Sequence, residues 1–217
     1  MRYSHAVGRL TAAGILTGGL LAPGLAAAAP ALAAAPHGSE GSAYGLTVAG
    51  PVAVPPVPAV SSTTGKVSKS LLRENHTKLV QASALDVSAS AARARSTVAR
   101  VAVPAAKLMA SAVSAKCDGG RGSAHLARAV IAGKRLDASP PPNTTVPVDI
   151  EGLGRASLIL NKQERMADGR LAVTAMEIQV PLPGKPATVR IASATCGKTV
   201  SEAPAPTPVE HDLPVTG

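Results

Sequence analysis

The chain of 217 residues carries 22 lysines and arginines against 13 aspartates and glutamates, a net charge of +9, and its 46% apolar content is mostly alanine and valine. Phenylalanine and tryptophan are absent and there are only two tyrosines, so the aromatic platforms on which single-stranded nucleic acid stacks, and which sugar sites commonly use, cannot be built in the usual way. No run of lysines and arginines resembles a polybasic motif, so nucleic acid is not an expected partner and the charge reads first as a solvated surface.

Residues 1–35 have the layout of a secretory signal peptide. Arg2 and Arg9 form a basic n-region, residues 10–25 are apolar or small and include Ile15, Leu16, Leu20 and Leu21, and several Ala-x-Ala triplets follow. Cleavage after Ala29 or after Ala35 fits equally. A transmembrane anchor is the competing reading, but Gly18, Gly19, Pro23 and Gly24 interrupt a stretch already shorter than the roughly 20 apolar residues a span needs. Removing Arg2 and Arg9 leaves 20 of the 22 basic residues against 13 acidic ones, about +7 for a mature chain sized for one domain or two small ones. Export places Cys117 and Cys196, the only cysteines, in an oxidising compartment, where a disulfide is expected. A metal site or a catalytic thiol are the competing readings. Neither cysteine lies in a C-x-x-C and no histidine cluster accompanies them, so no metal and no cofactor is expected.

Residues 36–42 are small and polar and read as a flexible mature N-terminus, with order beginning at Ala43. Residues 44–60 set Val48, Val52, Val54, Val57 and Val60 among Pro51, Pro55, Pro56 and Pro58. Helix is excluded there, and an edge strand or polyproline-like chain is expected. Residues 61–69, rich in serine, threonine and lysine around Gly65, read as a loop. In residues 79–103 alanine favours helix while serine, threonine and valine favour strand. Leu85, Val87, Ala89 and Ala91 alternate with Asp86, Ser88 and Ser90, and Thr97, Ala99, Val101 and Val103 repeat that period around Arg100. Two strands joined near residues 93–96 are therefore predicted, with a helix as the alternative.

Residues 108–116 lead into Cys117, and Asp118-Gly119-Gly120-Arg121-Gly122 marks a turn. A strand is predicted over residues 125–131, a turn at 133–135 and a rigid loop at Ser139-Pro140-Pro141-Pro142-Asn143. Residues 146–150, 156–160 and 171–180 read as strands, separated by turns at Gly152 and Gly154 and at Asp168-Gly169. Residues 181–186 make the last turn, and 189–195 a closing strand that delivers Cys196. Short strands with turns every ten or so residues predict an all-β domain over residues 43–197, an antiparallel β-sandwich or barrel-like fold with one disulfide.

From Gly197 the character changes. Residues 198–212 include Ala203-Pro204-Ala205-Pro206-Thr207-Pro208, a proline-alanine linker that holds about 3.1 Å per residue and would space the domain from a wall. The last five residues, Leu213-Pro214-Val215-Thr216-Gly217, resemble the L-P-x-T-G sorting signal of Gram-positive surface proteins. That resemblance implies sortase and cell-wall peptidoglycan as partners, with cleavage after Thr216. Such a motif is normally followed by an apolar span and basic residues; the sequence here runs to Gly217. On such a wall, the basic balance has a sharper reading, attraction to anionic wall polymers.

The body carries Ala43-Tyr44-Gly45-Leu46 followed by Val52-Ala53-Val54-Pro55-Pro56-Val57-Pro58, then Pro141-Pro142-Asn143-Thr144-Thr145 before a valine strand. It closes with Leu171-Ala172-Val173-Thr174-Ala175-Met176-Glu177-Ile178 and Ile191-Ala192-Ser193-Ala194-Thr195-Cys196-Gly197. In this order the segments resemble the choice-of-anchor P family of actinobacterial surface proteins. The resemblance implies an exported β-rich domain carried on an interchangeable C-terminal anchor, with no established activity.

The residues that could carry catalysis have simpler readings. Gly122-Ser123-Ala124-His125 lacks the spacing and strand-turn-helix setting of a nucleophile elbow, and His125 reads as a surface or core histidine. His37, His76 and His211 are scattered and form no ligand set. Glu151, Glu164, Asp168 and Glu177 could supply the carboxylate pair of a glycosidase, but read as ordinary strand-edge and turn acids. Gly152-Leu153-Gly154 is too short to cradle a phosphate, and Asn75-His76-Thr77 and Asn143-Thr144-Thr145 read as coincidental glycosylation patterns. The expected function is that of an exported, non-catalytic surface protein with a structural or adhesive role. A freely secreted hydrolase and a protein-binding module are the alternatives.

Overall fold

The structure, a computed structural model, describes residues 40–51, 53–74, 80–150, 154–180 and 185–197. The expected signal peptide at residues 1–35, the expected linker at residues 198–212 and Leu213 to Gly217 lie outside the described residues, as do His37, Asn75 with His76, His211, Glu151, Gly152 and most of the expected turn at residues 181–186.

Numbered along the chain, the strands of one sheet are β1 (Gly41–Ala49), β2 (Val54–Ser62), β10 (Thr144–Ile150), β11 (Gly154–Arg165), β12 (Leu171–Val180) and β13 (Ala187–Cys196). They are ordered β10-β11-β12-β13-β1-β2. The second sheet holds β3 (Val67–Glu74), β4 (Gln81–Ser90), β5 (Arg93–Val103), β6 (Leu108–Asp118), β8 (Val130–Ile131) and β9 (Lys134–Arg135) in that order. In it β7 (Arg121–Ala127) also pairs with β6. All these pairings are antiparallel. The first sheet ends in β10 and β2, and β3 ends the second. The sheets therefore pack face to face as a sandwich and do not close into the barrel-like alternative.

Several boundaries differ from the sequence reading. Strand β1 begins at Gly41, ahead of Ala43, and Ser42 and Ala43 already pair with Thr195 and Ala194 of β13. Residues 44–60 contribute to two paired strands, not one extended segment: central strand β1 ends before Gly50, at φ 140°, and edge strand β2 carries Pro55, Pro56 and Pro58. The expected loop at residues 61–69 shrinks to the four residues between β2 and β3. The β4–β5 turn falls at Ala91-Ala92, ahead of residues 93–96, so Arg93 and Arg95 belong to a strand. The predicted strand over residues 125–131 is split, with Arg128 at φ 50° between β7 and β8.

The inner faces carry Leu46, Leu85, Leu126, Leu158, Met176 and Ile191 among many alanines and valines. With no large ring to hold them apart, the sheets approach closely. A Cβ on Gly45 would stand 2.7 Å from Leu85 Cδ2 of the facing sheet, and one on Gly122 would collide with Val173 across the sandwich. In both sheets the alternation changes phase part-way along. In β12 Leu171, Val173 and Ala175 face inward and then Met176 and Ile178; in β13 Val189 and Ile191 are followed by Ala192, Ala194 and Cys196. The shift falls on one row across β11, β12, β13 and β1, where Asn161 (φ 48°) and Ala192 (φ 53°) are left-handed. In the second sheet it falls near Ala84 (φ 51°) and Arg100 (φ 50°), with register shifts between β4 and β5. One residue out of phase moves every later side chain to the other face.

Cys117 at the end of β6 and Cys196 at the end of β13 are both fully buried and joined in a disulfide, with Cα atoms 5.6 Å apart. The bond links the two sheets across a separation of 79 residues, which contributes about 4 to 5 kcal/mol in the chain-entropy account. Replacing both cysteines by serine should therefore remove up to about 4 to 5 kcal/mol in urea unfolding. Gly45→Val should cost about 1 to 3 kcal/mol through overpacking against Leu85; an unchanged midpoint would contradict the disulfide's contribution in the first variant and the close sheet packing in the second.

Candidate functional site

Because Met176 and Ile178 point into the core, Glu177 stands on the opposite side of the first sheet, yet its side chain is 0% exposed. Register sets Arg190 beside it on β13, and Lys162 reaches it from β11. Lys162 Nζ donates to both carboxylate oxygens at 2.8 and 3.1 Å, Arg190 Nε donates at 2.7 Å and Gln179 Nε2 at 2.5 Å. Next to them the buried hydroxyls of Thr174 and Ser193 share a hydrogen bond of 3.2 Å. Burial pushes the Glu177 carboxyl up, but the hydrogen bonds from Arg190, Lys162 and Gln179 outweigh it and hold the group below the usual carboxylate range. A carboxylate so enclosed and so saturated with donors is held ionised. It has no proton to give as a general acid and no exposed oxygen to attack a substrate.

The outer face of the second sheet is different in kind. A depression of about 300 Å³ is lined by Lys66, Arg93, Arg95 and Lys116 with the hydroxyls of Ser88 and Ser90. A second, of about 540 Å³, continues past Lys116 to Asp118, Arg121 and Ser123. The β4–β5 and β6–β7 turns, Ala91-Ala92 and Gly119-Gly120, bring these strand ends together, and Gly119 N–H donates to Ala92 O at 2.9 Å. A third feature, a groove of about 760 Å³, lies between edge strand β10 and the β8–β9 hairpin. Its floor includes Ile131, Leu136, Val146 and Leu160, and Lys134 and Asp149 stand among its lining.

The residues singled out in the sequence are dispersed. His125 is exposed on β7, with Nδ1 3.3 Å from Ser139 Oγ, and Ser123 lies two residues away on the same strand. Asp168 lies in the β11–β12 turn, where the backbone and side chain of Arg170 hydrogen-bond it and lower its pKa. Glu164 is exposed on β11. Glu177 departs from its reading as a strand-edge or turn acid: it sits in the interior of a central strand. Asn143 is structural, donating its N–H to Asn161 O at 3.0 Å and accepting from Gln163 N–H at 2.9 Å. The cationic depressions went unseen in the sequence because Lys66, Arg93, Lys116 and Arg121 come from four separate segments.

Comparison of the chain with protein-family models, with curated proteins and with solved structures finds no match. Among the described residues no group of three or more histidine, cysteine, aspartate or glutamate side chains could hold a metal ion. Among them, too, no helix is long and apolar enough to cross a membrane.

The folded Glu177 carboxyl titrates below its ordinary value of 4.5, so its stabilisation is complete above that pH and is lost as pH falls through the lower folded value. Glu177→Gln should be less stable than the parent at neutral pH by about 1 to 3 kcal/mol. In urea unfolding the gap should narrow below pH 4.5. A gap that stays constant down to about pH 3 would mean that the carboxylate is not what the cluster depends on.

Proposed function

We propose that the protein is exported, displayed on a Gram-positive cell wall by sortase, and acts there as a non-catalytic structural or adhesive domain. The observation that carries this reading is the buried Cys117–Cys196 disulfide between the two sheets, since such bonds form and persist in oxidising compartments outside the cytoplasm. The signal-peptide layout of residues 1–35, the Pro-Ala linker and the sorting-type motif agree with it, as does the resemblance to choice-of-anchor P proteins. In this account Leu213 and Pro214 are specificity contacts for sortase. Its cysteine attacks the Thr216 carbonyl, Gly217 leaves, and Thr216 ends in amide linkage to peptidoglycan. The groove beside β10, with its apolar floor, favours a protein-binding module as the second reading; the hydrolase alternative has no such feature behind it.

Fractionation of the native organism, with mass spectrometry of the C-terminal peptide before and after muralytic digestion, tests the display. A peptide ending at Thr216 and carrying a wall fragment is expected. An intact Gly217 terminus in the culture medium would make free secretion the correct account.

A further inference from the structure

We infer that the cationic trough on the outer face of the second sheet is a binding surface for a linear phosphodiester polymer of the kind that decorates Gram-positive walls. The inference rests on the proposed display for the source of that polymer. Register builds the trough in two adjacent rows: Ser88, Arg95, Lys116 and Ser123 across β4 to β7, and beside them Ser90, Arg93, Asp118 and Arg121. Lys66 joins from the chain before β3. The five cationic side chains are all exposed. Among the described residues Asp118 is the one carboxylate lining the trough, 3.2 Å from Arg93 Nε and 3.7 Å from Lys116 Nζ. Among the described residues Lys66, Arg95 and Arg121 have no carboxylate within ion-pair distance.

Two features distinguish this face from a merely soluble surface. Arg95 and Lys116 are directly opposite each other on β5 and β6, an arrangement that destabilises an antiparallel pair and that Asp118, 3.7 Å from Lys116 Nζ, offsets only in part. A polyanion laid over the pair removes that repulsion. Beneath them Cys117, between Lys116 and Asp118, anchors the floor covalently to the other sheet, so the charges are held on a rigid scaffold and less order has to be gained on binding.

The shape selects the ligand class. The cations do not converge on one point, as they would for a single phosphate or carboxylate. They are spread from Lys66, just ahead of β3, to Arg121 on β7, four strand spacings of about 4.8 Å or roughly 19 Å, which matches an extended chain with repeated charges. The serine hydroxyls of the trough can donate to phosphate oxygens between the cations. Among the described residues no aromatic side chain lines either depression, so bases would find nothing there to stack on, and a polymer without bases is favoured over nucleic acid.

The test titrates the purified full chain with fluorescent poly(glycerol phosphate) over a range of salt. If three to four phosphates are neutralised, affinity should fall roughly 20- to 50-fold between about 50 and 200 mM salt. Arg95→Ser with Lys116→Ser should lose at least about tenfold in affinity, flatten the salt dependence, and melt no lower than the parent. Lys66→Ser, outside the strands, should weaken binding in the same direction. Lys134→Ser with Arg135→Ser, the same charge loss on the β8–β9 hairpin, should leave affinity unchanged. Absent or salt-independent binding, or equal losses in the two double variants, would overturn the assignment, as would tighter binding of a deoxythymidine oligonucleotide of equal charge. A wall-linked peptide without polymer binding refutes the trough alone; polymer binding with an intact Gly217 in the medium refutes display alone.

Discussion

Everything in this domain is subject to one constraint, that its core contains no phenylalanine or tryptophan. Alanine and valine are short, and two sheets faced with them bury apolar area only by coming close together. Gly45 and Gly122 mark where that approach is tightest, since the space a Cβ would need is filled by side chains of the opposite sheet. A core of this kind gains little from any single residue. Its cohesion therefore depends on many small contacts together with links that cross from sheet to sheet.

Those links are of two kinds. The Cys117–Cys196 disulfide joins β6 to β13 covalently. Hydrogen bonds add to it: Ser96 Oγ on β5 donates to Tyr44 O on β1 at 2.8 Å, and Gln163 Nε2 on β11 donates to Gly122 O on β7 at 3.0 Å. Each satisfies a polar group inside a thin sandwich, where an unpaired one would be costly. The charged chemistry is displaced to the outside. On the first sheet Lys162 and Arg190 are gathered around the buried Glu177, whereas on the second cations predominate on an open surface.

The β character was legible in residues 85–103, where valine, serine and alanine at period two outweigh the helical tendency of alanine, and the structure has two strands there and no helix. The glycine turn at residues 119–120 and the Asp168-Gly169 hairpin were equally plain, because those residues suit tight turns whatever surrounds them. The phase changes were not legible. Residues 171–175 and 176–180 each alternate correctly, but the row of left-handed residues that flips the second half depends on neighbouring strands taking the same step. Glu177 was misjudged for the same reason: without the flip and the register to Arg190 it looks like any solvated acid.

By itself the sequence determined the chemical class of the chain: short valine- and alanine-rich strands, one pair of cysteines, a basic balance, and end segments that read as addresses. These follow from local properties, namely side-chain branching, turn chemistry and composition, which hold before any distant residues meet. Only the tertiary structure decided that the strands divide into two open sheets, that Cys117 and Cys196 clamp one to the other, and that cations from four separate segments share one face while Glu177 is enclosed on the opposite one. Pairing register and sheet order set those neighbours, and both are outcomes of long-range packing that no local stretch of sequence encodes.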